Sequence, residues 1–207
     1  MIDRPGIAKI YHAQSLDEVR QAYDTWAETY DVQVVDEFGF RAYEYVVASV
    51  RAHLDDDAHL LDAGSGSGMV GLAAQAAGLT TIDAMDLSVG MLEKAKARGI
   101  YRDVRVGVLG EPLDYLTDSY DAVLSAGVFT PGHAPPEAFV ELVRVVKPGG
   151  LICFTLCDDV TPLGFIEEME RLASQGTWEL ITMGEPFQSM PNGQPEIELR
   201  IWLYRVL

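Results

Sequence analysis

Residues Leu60 to Gly71, "LLDAGSGSGMVG", run an apolar stretch into four glycines. Glycine permits positive φ and close backbone approach, and a helix that follows such a loop offers its positive N-terminal end to a ligand. The stretch satisfies two patterns. Gly66, Gly68 and Gly71 fit the G-x-G-x-x-G of a dinucleotide site, while Asp62, Gly64, Gly66 and Gly68 fit D-x-G-x-G-x-G. Asp86 stands 22 residues beyond Gly64, where a carboxylate can accept both hydroxyls of a ribose, and both patterns use it. Asp62 separates them. A pyrophosphate is a poor neighbour for a carboxylate, whereas a ligand carrying an ammonium and a sulfonium is attracted to one.

The second pattern therefore favours S-adenosylmethionine as cofactor, with S-adenosylhomocysteine as product. Two absences agree with it. None of the nine tyrosines has a lysine four residues on, as a short-chain dehydrogenase requires, and 207 residues leave little room for a second dehydrogenase domain. The four histidines, His12, His53, His59 and His133, lack metal-ligand spacing, so no metal site is expected. Cys153 and Cys157 fall on one apolar run, four positions apart. On a strand that separates them by roughly 13 Å, too far for a disulfide, so both read as reduced core residues.

The elements that must hold this loop follow from periodicity. In "SLDEVRQAYDTWAETY" Ser15 and Glu18 form a capping box, and Leu16, Val19, Tyr23, Trp26 and Tyr30 recur at helical spacing. A second helix is expected over "FRAYEYVVASVRAHL". Strands are expected at His59 to Ala63, Thr81 to Met85, Val104 to Leu109, Tyr120 to Ala126 and Leu151 to Leu156. Helices fit between them at "MVGLAAQAA", "SVGMLEKAKA" and "PEAFVELVRVV", with "GFIEEMERLAS" after the fifth strand. This alternation predicts a doubly wound, Rossmann-like α/β fold with a mostly parallel seven-stranded sheet. "WELITMG" and "IELRIWLYRVL" read as a C-terminal antiparallel hairpin, joined by a loop, "EPFQSMPNGQP". No composition shift marks a boundary, so residues 1–207 are expected as one domain: a helical N-terminal lid over 1–54 and an α/β core over 55–207.

A net charge of −17 repels phosphate backbones and anionic membranes, so nucleic acid and membrane are not expected as partners. The one basic cluster, Lys94, Lys96, Arg98, Arg102 and Arg105, reads as a solvated helix face, because no aromatic platform accompanies it. The opening residues lack an apolar signal core, and no apolar run approaches the roughly 20 residues that cross a bilayer. A cytoplasmic protein is expected.

"LLDAGSGSG", "IDAMDLSVGMLEKA", "YDAVLSAG" and "RVVKPGGLICFT" together resemble the successive motifs of class I S-adenosylmethionine-dependent methyltransferases, over about half the chain. "YDTWAETYD" resembles the helical lid of small-molecule methyltransferases. "GIYRDVRVGVLGEPL", "GVFTPGHAP" and "GTWEL" are similar to the Williams-Beuren syndrome region methyltransferase-like group. The resemblance implies that Gly64, Ser65, Gly66 and Gly68 face the methionine part of the cofactor, with Asp62 holding its ammonium. Asp86 would take the ribose hydroxyls, Leu87 and Met91 would pack on the adenine, and Leu109 and Gly110 would edge it. An acidic residue is often found at that edge in the family, and its absence here leaves recognition to backbone groups. Ser125 and Ala126 would contact the methionine group, and Tyr30, with Trp26 behind it, would close the lid. His133 is the candidate general base and Thr130 a candidate for orienting a polar acceptor, because the loop after the fourth strand borders the methyl group in this fold. A small-molecule acceptor is expected. Two other readings stay open at this point: a module that binds the cofactor without turnover, and an NAD-dependent oxidoreductase.

Overall fold

The side chain of Ser15 starts the first helix. Its Oγ accepts the Glu18 N–H at 3.2 Å, and α1 (Leu16–Trp26) follows with Val19 and Trp26 buried. The computed structural model describes residues 10, 13, 15–130, 132–157, 161 and 163–207; His12 lies outside the described residues. The 3.6-residue rhythm predicts α1 through Tyr30, but the helix ends at Trp26. After a turn the chain continues as a π-helical segment, Asp31–Glu37, in which the Phe38 N–H reaches back to the Gln33 carbonyl at 2.9 Å. Val34 and Phe38 both face inward from this segment.

The remaining elements are α2 (Ala42–Arg51), β1 (His59–Ala63), α3 (Met69–Ala76), β2 (Thr81–Asp86), α4 (Val89–Ala97), β3 (Asp103–Val106) and β4 (Tyr120–Phe129). They continue with α5 (Ala138–Val145), β5 (Val146–Cys157), α6 (Phe165–Ser174), β6 (Trp178–Met183), β7 (Phe187–Met190) and β8 (Gln194–Val206). The sheet runs β3-β2-β1-β4-β5-β8-β6. The first five strands are parallel, β8 enters antiparallel to β5, and β6 closes antiparallel to β8. This is the mostly parallel, Rossmann-like sheet with a C-terminal antiparallel hairpin that the sequence predicts, but it is 8-stranded and not seven-stranded, because β7 also pairs with β8. The strand order reverses at β1, so ligands are expected beyond its carboxyl end.

β4 runs on to Phe129 and β5 begins at Val146, both longer than periodicity predicts, and two further differences shape the site. β3 stops at Val106, because its partner β2 ends in register with it at Asp86, leaving Val108 and Leu109 unpaired with β2. The stretch read as a loop after β6 contains β7, which pairs Phe187 with Leu199 and Gln188 with Glu198 along the edge of β8 that β6 leaves uncovered. Proline and Asn-Gly chemistry marks only the turn at residues 191–193; the preceding Phe-Gln-Ser-Met finds a strand partner that local composition does not reveal.

Each sheet face buries its own core. On one, α5 and α6 pack Phe139, Phe165 and Leu142 against Phe129, Phe154 and Trp178, with Trp178 stacked on Tyr204 at 4.1 Å. On the other, Val46, Val47 and Val50 of α2 and Val70 and Ala74 of α3 cover Leu60, Ile82 and Cys153. Cys153 and Cys157 are buried, free thiols on β5, and burial pushes the Cys153 thiol up.

The N-terminal helices are tied across the sheet ends by the cluster that sequence reads as a solvated face. Glu28 pairs with Lys94 at 2.7 Å and Asp31 with Arg98 at 2.5 Å. Asp24 accepts from the Ser88 hydroxyl at 2.6 Å and from the Gly90 N–H at 2.9 Å. Arg102 and Arg105 pair with Asp83 and Asp103. Four of the five basic residues are thus engaged within the chain. Among the described residues no helix is long and apolar enough to cross a membrane.

Candidate active site

The loop leaving β1 turns through three positive φ values, +77° at Gly64, +51° at Gly66 and +96° at Gly68. A Cβ on Gly64 would stand 2.4 Å from Val128, so only glycine passes there. At Gly66 a Cβ would meet nothing within 4 Å, because that residue faces open space. Neighbouring strand ends hold the loop in place. The Gly64 and Ser65 N–H groups both donate to the Met85 carbonyl, and the Gly66 N–H donates to Asp86 Oδ2 at 2.8 Å. The other Asp86 oxygen accepts from the Ser88 N–H, also at 2.8 Å. Burial raises the Asp86 carboxyl, and the N–H groups of Ser88, Gly66 and Leu87 pull it back toward ionisation. Ser88 is the N-cap of α4, leaving Asp86 free of that task.

Beyond this loop lies a cleft of about 730 Å³, its open mouth included. Gly64, Gly66 and Asp86 form its polar floor; Leu87, Met91 and Leu109 make an apolar slot; Ala126 and Tyr30 close the far side. Gly107 and Val108, freed by the early end of β3, extend the slot. Asp86 is the one charged side chain on this wall among the described residues. Burial pushes the Tyr30 hydroxyl well up, followed by the charges of Asp86 and Asp31, so it stays protonated.

Other expected site residues lie behind the wall. Asp62 is fully buried on β1, where Oδ2 accepts the Tyr101 hydroxyl at 2.5 Å and Oδ1 has no partner. Desolvation pushes the Asp62 carboxyl up to about 7; the Tyr101 hydrogen bond opposes that and the Asp86 charge adds to it. Ser65 is buried with its Oγ likewise unpartnered. Gly68 packs beneath Tyr101, Gly110 sits under Pro135, and Ser125 donates to the Ala63 carbonyl at 2.8 Å.

A second hollow, about 670 Å³ with its mouth, opens beside the first. Trp26 lines this one. The two share Tyr23, Tyr30, Ala126, Gly127 and His133. His133 stands at the junction with both ring nitrogens in hydrogen bonds: Nδ1 to the Thr130 hydroxyl at 2.8 Å and Nε2 to the Tyr23 hydroxyl at 2.9 Å. Periodicity places Tyr23 on the inward stripe of α1 but carries no sign of its partner 110 residues on. Gln194, at the start of β8, joins the second wall with equally little sequence signal.

A family model described as a methyltransferase domain matches residues 61–154. Methyltransferase-like protein 27 of Homo sapiens is 35% identical over 183 residues, 83% of this chain and 74% of the relative. The chain belongs to the class I S-adenosylmethionine-dependent methyltransferases. Solved structures agree on the fold. The methyltransferase superposes on a TehB-like S-adenosylmethionine-dependent methyltransferase from Corynebacterium glutamicum with a TM-score of 0.66 at 21% identity, covering 88% of this chain and 99% of that one. For the cyclase SpnF the TM-score is 0.70 at 16% identity, over 94% and 97% of the two chains.

The cofactor of this methyltransferase is S-adenosylmethionine, and the residues present suit it. Among the described residues the cleft wall offers a carboxylate and no lysine or arginine, which favours a cationic ligand over a pyrophosphate, and Gly66 leaves space against the backbone. The unpartnered, buried Asp62 Oδ1 and Ser65 Oγ add acceptor capacity directly behind the glycine loop.

Proposed function

We propose that this methyltransferase passes the methyl group to a small molecule held in the second hollow, with the donor in the first. The single observation carrying this reading is the shared boundary of the two spaces at Tyr23, Tyr30, Ala126, Gly127 and His133. In the proposed roles Asp86 takes the ribose hydroxyls, and Leu87, Met91 and Leu109 pack on the adenine. Gly64 and Gly66 admit the methionine part, while Asp62, Ser65, Gly68, Gly110 and Ser125 support the loop and strand ends that shape the site. Bound S-adenosylmethionine supplies a methyl carbon already activated by the sulfonium.

The chain then has two tasks. Tyr23 and Tyr30 cover the junction and keep the acceptor aligned; alignment of two reactants is worth about 7 to 11 kcal/mol of a barrier. His133 removes the acceptor's proton, with Thr130 fixing its ring from the Nδ1 side and the Tyr23 hydroxyl within hydrogen-bond reach of Nε2. The lid of this single domain is the segment from α1 through the π-helical turn, a reading supported by the Asp24, Glu28 and Asp31 ties to α4 and its C-terminal flank; the rest of the expected 1–54 lid, α2, belongs with 55–207 to the core, because Val46, Val47 and Val50 cover the sheet. Net charge favours partners other than nucleic acid or membrane. Two buried free thiols suit the reducing cytoplasm.

Transfer of labelled methyl from S-adenosylmethionine into fractionated cell extract tests the proposal. Label is expected in low-mass fractions with the wild type, and to fall with His133→Ala. Label confined to protein fractions would overturn the small-molecule reading.

A further inference from the structure

We infer that the acceptor is an uncharged, largely aromatic molecule that donates a hydrogen bond to Gln194; this rests on the reading of the second hollow as the acceptor site. Three observations carry it. Tyr23, Trp26, Tyr30 and Phe40 supply four aromatic walls, with Trp26 and Tyr30 set edge to face at 4.9 Å. Such surfaces favour a flat apolar body. No aspartate, glutamate, lysine or arginine lines the hollow among the described residues, although the chain carries 32 acidic and 15 basic residues of those types, and the imidazole of His133 in its wall has both ring nitrogens in hydrogen bonds to Thr130 and Tyr23. A charged acceptor would lose its water there without a counter-charge to replace it.

The third observation fixes the polar contact. Gln194 is only 6% exposed, lines the hollow, and its Oε1 is enclosed without a hydrogen-bond partner. A buried amide carbonyl is normally satisfied, so this one is matched by an O–H or N–H from whatever fills the space. Gln194 begins β8, where the register pairs it with Met190 across the β7 turn, so a framework of strands sets its position. It acts here as a specificity residue and takes no part in the methyl step.

Three probes of one shape separate the features: 2-naphthol, uncharged with one O–H; 2-methoxynaphthalene, the same ring system without a donor; and 2-naphthoate, charged. Calorimetric titration of the full chain, with and without S-adenosylhomocysteine, is expected to rank 2-naphthol about tenfold tighter than 2-methoxynaphthalene, with 2-naphthoate weakest. In Gln194→Leu and Gln194→Met the tenfold preference is expected to collapse toward one, while S-adenosylhomocysteine affinity and melting temperature stay close to wild type. Equal binding of 2-naphthol and 2-methoxynaphthalene to the wild type, tightest binding of 2-naphthoate, or no binding of any probe would each overturn the inference. Failure of S-adenosylhomocysteine to bind the wild type would instead count against the assignment of the first cleft, and its own titration reads that outcome separately.

Discussion

Replacing Asp62 by asparagine should make the protein's stability less dependent on pH. The carboxyl is fully buried, and desolvation raises it from 3.8 in the unfolded chain to about 7 in the folded one. Because the folded pKa is the higher, the native state binds the extra proton between these values, and stability falls as pH rises from about 4 to about 7. Above that window the loss is complete. A shift of this size, at 1.36 kcal/mol per unit, corresponds to about 4 kcal/mol. Asparagine keeps the shape and an acceptor for the Tyr101 hydroxyl but has no charge to desolvate. The assay is urea unfolding of wild type and Asp62→Asn, without cofactor, from pH 4 to pH 8. Other titrating groups are common to both proteins, so the difference in unfolding free energy between them isolates this site. It should move in favour of the variant by about 4 kcal/mol across the range, most of it between pH 4 and pH 7. Tyr101→Phe removes a hydrogen bond that lowers the Asp62 carboxyl, so the window should extend to higher pH. A difference that stays constant with pH, or that grows toward acid, would refute the assignment of a desolvated carboxyl at position 62.

The loop and junction carry three further predictions. Asp86→Ala removes the acceptor for the Gly66 and Ser88 N–H groups and should weaken S-adenosylhomocysteine binding by about 10- to 100-fold in calorimetry, given 1.5–3 kcal/mol for hydrogen bonds to a charged group; unchanged affinity would count against its role. Gly64→Ala, with its Cβ 2.4 Å from Val128, should lower the melting temperature clearly more than Gly66→Ala, which meets open space and carries only a backbone strain of about 1–3 kcal/mol; the reverse order would contradict the loop geometry. With a methylatable fraction in hand, His133→Ala should reduce kcat/KM by about 10²- to 10⁴-fold while leaving S-adenosylhomocysteine binding intact, and a change of under threefold would remove His133 as the base.

Local chemistry determined most of the scaffold. The alternation of apolar strands and amphipathic helices, the Ser15 and Ser88 caps and the glycine turn after β1 depend on residues within a few positions of one another, so each is legible where it stands. The same holds for Asp86, whose place at a strand end follows from spacing alone. Tertiary structure decided what the local pattern left open. Asp62 looks like a ligand-facing acid in its own loop, yet Tyr101, 39 residues on, covers it and leaves it buried behind the cleft. The basic cluster around α4 looks solvated until Glu28 and Asp31 of the N-terminal region meet it. The π-helical turn, the pairing of β7 with β8, the Tyr23–His133 contact and the unpartnered Gln194 all arise between segments far apart in the chain or from backbone that departs from a regular period. A nucleotide-like loop can be recognised from its neighbours in sequence; the walls that meet the acceptor come together only through long-range packing, which no short stretch encodes.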